Sequence, residues 1–199
     1  MRLGIFGGTF DPIHVGHLVA AVNARSLLEL DEVALVVANE PWQKVGERVI
    51  TSAADRFAVV EAAVAGTRGI SASAMEIERG GTSYTIDTVE ALQRRDPDIE
   101  LFLIIGADVV QELPSWKRVE DLRALVTLVI VNRPGTSDSS QRSGDRLEGW
   151  RAHSLEIPAL EISSTDLRDR AASGRPLEFL VPDAAIRVIE ERGLYAIGR

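Results

Sequence analysis

Five consecutive apolar residues, Leu101-Phe102-Leu103-Ile104-Ile105, leave this segment no polar face to turn toward water. A strand of this kind has to be covered on both sides, and sheets covered on both sides are characteristically parallel, with helices packed over each face. Shorter runs of the same character recur along the chain and alternate with segments of helical period. They predict strands at 2–6, 33–38, 73–77, 101–105, 127–132 and 153–157. The helical segments fall at 15–30, 52–65, 85–95, 119–124, 164–172 and 183–192. The expected fold class is α/β, a doubly wound parallel sheet. Ligands of such folds gather at the carboxyl ends of the strands, and the motifs below all lie just past a predicted strand end.

The first run, Leu3-Gly4-Ile5-Phe6, leads directly into Gly7-Gly8-Thr9-Phe10-Asp11-Pro12-Ile13-His14-Val15-Gly16-His17, which holds two of the three histidines in the chain. Their spacing of i, i+3 in the first turns of the predicted helix puts both on one face. A helix start offers unpaired backbone N–H groups and the positive end of the dipole, and glycines let a phosphate approach the main chain closely. The segment reads as a phosphate cradle. A metal site built on the same histidines would need a third ligand, from a carboxylate or from the distant His153. Neither Gly-x-x-x-x-Gly-Lys-Ser/Thr nor Gly-x-Gly-x-x-Gly is present.

The first segment resembles the signature of the nucleotidylyltransferase superfamily, whose members transfer AMP or CMP onto a phosphate. A second signature of that superfamily, Ser-Ser-Thr-x-x-Arg, is matched by Ile162-Ser163-Ser164-Thr165-Asp166-Leu167-Arg168. The resemblance extends from Gly4 to about Arg170 and implies a Rossmann-like nucleotidylyltransferase fold, with the last helix as a small C-terminal extension.

Three segments in the middle of the chain are similar to bacterial nicotinate-nucleotide adenylyltransferases: Gly106-Ala107-Asp108, Leu113-Pro114-Ser115-Trp116-Lys117 and Ser83-Tyr84-Thr85-Ile86-Asp87-Thr88. Read as residues alone, Asp108 is either a helix cap or an acceptor for ribose hydroxyls. Trp116 is either a core plug or a stacking face for a flat ring. The helix start after Tyr84 presents N–H donors and the Thr85 hydroxyl, which suits a carboxylate, and capping by Ser83 or Thr85 is compatible with that role. The resemblance implies that Trp116 stacks on the pyridine ring, that Asp108 contacts ribose and that residues 83–88 recognise the acid group of nicotinate.

The expected activity is therefore transfer of AMP from ATP to nicotinate mononucleotide, releasing nicotinate adenine dinucleotide and pyrophosphate in NAD biosynthesis. His14, His17 and Arg168 are the expected catalytic residues. ATP is expected on Gly7, Gly8, Thr9, Phe10, Gly106, Asp108, Ile162, Ser163, Ser164 and Thr165. Nicotinate mononucleotide is expected on Lys44, Tyr84, Thr85, Trp116 and Arg133. Pro41-Trp42-Gln43-Lys44 departs from the short basic sequence of many relatives. Mg²⁺ is expected to arrive on the phosphates without protein ligands. Another adenylyltransferase of the superfamily, acting on phosphopantetheine, would share both signatures without needing Trp116 or a carboxylate-binding helix start. A non-catalytic nucleotide-binding domain would have less need of both histidines and Arg168.

Composition sets the remaining expectations. With 199 residues, 45% of them hydrophobic, the chain can bury one sizeable core, and a single domain over 1–199 is expected. No segment approaches the roughly 18 consecutive apolar residues of a membrane span. The start Met1-Arg2-Leu3 enters the first strand without a signal-peptide pattern, so a cytoplasmic protein with no membrane partner is expected. The absence of cysteine removes disulfides, thiolate catalysis and cysteine–zinc sites. A formal charge of −8 argues against a nucleic-acid partner, and homo-oligomer formation is left open. Residues 135–149 are rich in Ser, Gly, Asp and Arg, follow Arg133-Pro134 and read as a mobile surface loop.

Overall fold

The structure, a computed structural model, describes residues 1–41, 49–132, 147–158 and 160–196. In chain order the first half comprises β1 (Arg2–Gly8), α1 (Val15–Leu27), β2 (Glu32–Val37), β3 (Glu40–Pro41), α2 (Ala53–Val64), β4 (Ile70–Ser73), α3 (Met75–Arg79), β5 (Thr82–Ser83) and α4 (Thr85–Arg95). The second half comprises β6 (Glu100–Gly106), a 3₁₀ helix (Val109–Ser115), α5 (Val119–Leu125), β7 (Thr127–Asn132), β8 (Ala152–Glu156), α6 (Ser164–Ala172) and α7 (Asp183–Glu191).

Six strands form one parallel sheet in the order β4-β2-β1-β6-β7-β8. Within β6, Leu101, Leu103 and Ile105 enter one core while Phe102 and Ile104 enter the core on the opposite face, which is why an all-apolar run is needed there. Removing one such buried aliphatic side chain typically costs about 2–5 kcal/mol. The core containing Phe102 and Ile104 also takes Val33 and Leu35 of β2, Ala20, Ala21 and Ala24 of α1, and Val59 and Val60 of α2. The other core takes Ile86 and Val89 of α4 and Leu122 of α5. Contact in the sheet is close at Gly4, where a Cβ would lie 2.8 Å from Val33 Cγ2 and 3.0 Å from Ile104 Cδ1.

The strand order reverses between β1 and β6, and in doubly wound sheets the crevice beyond such a reversal is the ligand site. The helical C-terminal part, α6 and α7, packs on the α1/α2 side, where Leu167, Ala185 and Ile189 join the core.

Three local expectations are corrected. The strand expected at 73–77 lies earlier, at Ile70–Ser73, and Met75–Arg79 forms α3. The alternation Met75-Glu76-Ile77 imitates a strand, but Glu78 N–H bonds to the Ala74 carbonyl at 2.8 Å and Glu76 turns inward. His14 is the N-cap of α1, with extended backbone, rather than part of its first turn. The helix also ends at Leu27, ahead of a left-handed Glu29 with φ of 50°. Finally, residues 109–115, which no predicted strand or helix covers, form a 3₁₀ helix. Most of the surface loop expected at 135–149 lies outside the described residues, which resume at Leu147.

Candidate active site

A cleft of about 1020 Å³ opens at the carboxyl ends of β1 and β6. Its lining includes Gly7, Gly8, Thr9, Phe10, His14 and His17 from the first signature and Gly106 and Asp108 from the end of β6. Thr85 and Trp116 line it from one side, and Ile162, Ser163, Ser164, Thr165 and Arg168 from another. Segments more than 150 residues apart in sequence are thus brought together, as Arg168 Nη1 donates to the Asp11 carbonyl at 2.8 Å across 157 positions. Tyr84 is not in the lining; its ring lies under Lys117 Nζ at 4.3 Å. Lys44 and Arg133, like Trp42, lie outside the described residues.

The two imidazoles stack, with centroids 3.8 Å apart and planes at 32°. His17 Nδ1 accepts from the His14 backbone N–H at 3.3 Å, which assigns the proton of the neutral His17 ring to Nε2 as a donor. Phe10 meets the His17 ring edge to face at 5.1 Å, and Phe6 tilts against it at 6.1 Å. Phe10 itself is buried with a left-handed φ of 48°, an uncommon conformation for a non-glycine residue.

The second signature supports the first. Ser163 caps α6, its Oγ accepting from Asp166 N–H at 3.1 Å. Ser164 Oγ donates to the Pro12 carbonyl at 2.9 Å, and Arg168 Nη2 reaches Thr165 Oγ1 at 3.1 Å. Imidazole, guanidinium and helix N–H donors on one wall make a set suited to phosphate oxygens.

The opposite end is built on α4. Its N-cap residue, Tyr84, makes no side-chain capping bond. Ser83 does not cap either; its Oγ accepts from Asn39 N–H at 2.8 Å, holding the β5 end against the segment after β2. Trp116 follows the 3₁₀ helix and packs against the Val110 and Leu113 core while lining the cleft. Its Nε1 is buried without an acceptor among the described residues. At Gly106 a Cβ would collide with the Asp108 carboxylate, so glycine there allows Asp108 to fold over the strand end.

Residues 5–170 match the cytidylyltransferase-like family. A probable nicotinate-nucleotide adenylyltransferase of Corynebacterium kroppenstedtii is 44% identical over 194 residues, covering 98% of this chain and 90% of the relative. A protein of the same name from Mycolicibacterium vanbaalenii is 42% identical over 197 residues, covering 98% and 92%. The chain belongs to the nicotinate-nucleotide adenylyltransferase family. A solved structure of Plasmodium falciparum nicotinic acid mononucleotide adenylyltransferase, complexed with NaAD, has a TM-score of 0.79 at 18% identity, covering 98% of this chain and 97% of that one. That likeness bears on the fold.

Three groups that shape the cleft were missed in the sequence. Arg56 is 1% exposed; its Nη1 donates to the Thr9 carbonyl at 2.7 Å, and its Nη2 to Ala38 and Asn39 carbonyls at 2.7 and 3.1 Å. The signal was present, because Arg56 interrupts the buried stripe of α2 that continues through Val59, Val60 and Ala63. Tyr195 donates to Asp11 Oδ1 at 2.9 Å, and burial, then the Asp11 charge, push its phenol above the ordinary range. Glu76 and Thr88, both buried, also line the cleft. Among the described residues no group of three or more His, Asp or Glu side chains is disposed to hold a metal ion, and no helix is long and apolar enough to cross a membrane.

Proposed function

We propose that the chain transfers AMP from ATP to nicotinate mononucleotide, forming nicotinate adenine dinucleotide and pyrophosphate. One observation carries the reading: a single cleft joins a donor-rich wall, with His14, His17 and Arg168, to a second end made by Trp116 and the α4 start at Thr85. The names of the 44% and 42% identical relatives support it.

A phosphate oxygen of the mononucleotide attacks the α-phosphorus of ATP. The bond from that phosphorus to the bridging oxygen breaks, and pyrophosphate leaves with the electron pair. A phosphate monoester has a second pKa of about 6, so the nucleophile is largely ionised near neutrality and no general base is required. Catalysis then rests on alignment and on charge stabilisation in the transition state. His14, His17 and Arg168 supply donors to the oxygens whose charge grows. Gly7, Gly8, Thr9 and Phe10, with Gly106, Asp108 and residues 162–165, seat ATP. Trp116 stacks on the pyridine ring and Thr85 receives its acid, while Lys44, Tyr84 and Arg133 are assigned to the mononucleotide on sequence. A divalent cation such as Mg²⁺ entering on the triphosphate would shield its charge while keeping several waters, and the imidazole and guanidinium donors suit oxygens of that complex.

The test is pyrophosphate release from ATP with nicotinate mononucleotide, nicotinamide mononucleotide and phosphopantetheine offered in turn. Turnover with nicotinate mononucleotide above the other two is expected. Turnover with phosphopantetheine instead would reassign the acceptor, and ATP binding without turnover on any of them would make the chain a binding domain.

A further inference from the structure

Glu76 and Thr88 lie in the cleft wall, 7% and 1% exposed, and the reaction above uses neither. The Thr88 hydroxyl donates to Glu76 Oε1 at 2.5 Å. Thr88 Oγ1 in turn accepts from Arg79 Nη1 at 3.2 Å, and Arg79 Nη2 stands 3.8 Å from the same Glu76 oxygen. Thr88 is one turn beyond Thr85 on α4, and residues three apart on a helix have β-carbons roughly 5–6 Å apart. A carboxylate therefore sits beside the helix start assigned to the substrate acid.

Left bare, that carboxylate would oppose the assignment. It would repel a nicotinate group and, with lone pairs to fill, would accept from the NH₂ of the corresponding amide. Its surroundings counter both effects. Thr88 occupies Oε1, and the partly exposed Arg79 supplies a compensating positive charge. In exchange the carboxylate ties α3 to the first turns of α4 and fixes the face that carries Thr85.

We infer that Glu76 opposes the acid when unmasked, and that its masking by Thr88 and Arg79 preserves the preference for acid over amide. The inference rests on the nicotinate reading proposed above. It makes Thr88 and Arg79 positioning residues that act through Glu76.

The experiment measures kcat and KM of the full chain for nicotinate mononucleotide, nicotinamide mononucleotide and ATP. Thr88→Val removes the hydroxyl at nearly constant volume. Its ratio of acid to amide kcat/KM is expected to fall by about tenfold or more, the scale of one buried polar group left opposed. The change should lie mainly in KM for the acid, with KM for ATP within about twofold, since only ground-state binding at one end is altered. Arg79→Met should move the ratio the same way, and because Arg79 is partly exposed it carries the test should Thr88→Val fold poorly. Adding Glu76→Gln to either variant should restore the preference, and Thr88→Ser should keep it. Ratios unchanged in both single variants, or a loss that Glu76→Gln does not relieve, would overturn the inference. Equal losses for acid, amide and ATP would show a purely structural network and overturn it as well. A wild type inactive on nicotinate mononucleotide sinks the functional reading itself; an active wild type with unmoved variants sinks only this step.

Discussion

The Tyr195 hydroxyl donates to Asp11 Oδ1 at 2.9 Å, joining residues 184 positions apart. Asp11 is 1% exposed, and its carbonyl takes the Arg168 guanidinium. The turn between β1 and α1 is therefore clamped from two places in the C-terminal region, by a side chain beyond α7 and by one on α6. Arg192 adds a third tie, with its Nη1 2.7 Å from Asp55 Oδ1 on α2. The segment beyond the last helix is part of what shapes the histidine-bearing turn.

Tyr195→Phe is expected to lower unfolding stability by about 1.5–3 kcal/mol, the range for a hydrogen bond to a charged group. The effect has a pH signature. Because the folded-state phenol is raised by burial and by Asp11, its contribution is complete below the unfolded value of about 10 and is lost as pH climbs beyond it. Melting of wild type and variant in parallel should show a constant gap up to about pH 9 that narrows above pH 10. A gap that widened with alkali would mean the hydroxyl is not the buried donor described.

Arg56→Lys keeps the charge but cannot serve the carbonyls of Thr51, Thr9, Ala38 and Asn39 together, which the planar guanidinium does at 2.7 to 3.1 Å. Carbonyls left unsatisfied in a buried place should cost about 3 kcal/mol or more. Urea unfolding measures it. A loss below about 1 kcal/mol would mean water replaces the arginine without penalty.

How far these features can be read from sequence depends on whether their cause is local. The run Leu101-Phe102-Leu103-Ile104-Ile105 declares its two buried faces in five residues, and α4 was expected at its observed limits of Thr85 and Arg95 because its periodicity is unambiguous. The edge strand Ile70-Ser71-Ala72-Ser73 is short and half polar, pairing on one side only, so the neighbouring alternation through Met75 and Ile77 outweighed it. Both signatures, which line one cleft, stood out in the sequence because their glycines, histidines and serines serve backbone geometry that a motif encodes. Tyr195 on Asp11 was not, since nothing near either residue marks a partner 184 positions away.

His17→Ala is expected to lower kcat by roughly 10²-fold with a smaller change in ATP affinity, as for a donor that acts on transition-state charge. The stacked His14 ring, 3.8 Å away, should hold the local backbone in place through its N-cap position. Single-turnover rates decide it. Rates within a few-fold of wild type would remove His17 from the chemistry.

Trp116→Ala should raise KM for nicotinate mononucleotide by the equivalent of about 1–3 kcal/mol, if stacking on pyridine resembles stacking on a nucleobase. KM for ATP should stay nearly constant. Because Trp116 also packs on Val110 and Leu113, a melting curve has to accompany the kinetics. Equal loss for both substrates with a lowered Tm would leave Trp116 as a core residue alone.

At the α4 start, Tyr84 makes no capping bond through its side chain and Ser83 is turned to Asn39. Neither side chain caps the helix start, whose backbone donors and positive dipole end suit a carboxylate that can accept from them. An amide would direct an NH₂ group at N–H donors, and a buried unsatisfied donor costs about 1–3 kcal/mol. Wild type should therefore favour nicotinate mononucleotide over its amide by roughly ten- to a hundredfold in kcat/KM. Thr85→Val removes one hydroxyl and leaves the backbone donors, so the preference should narrow without vanishing. Competition between the two mononucleotides in one reaction, read as the ratio of acid to amide dinucleotide formed, gives the answer directly. Equal use by wild type, or preference for the amide, would disprove the carboxylate assignment at Thr85 while leaving adenylyl transfer intact.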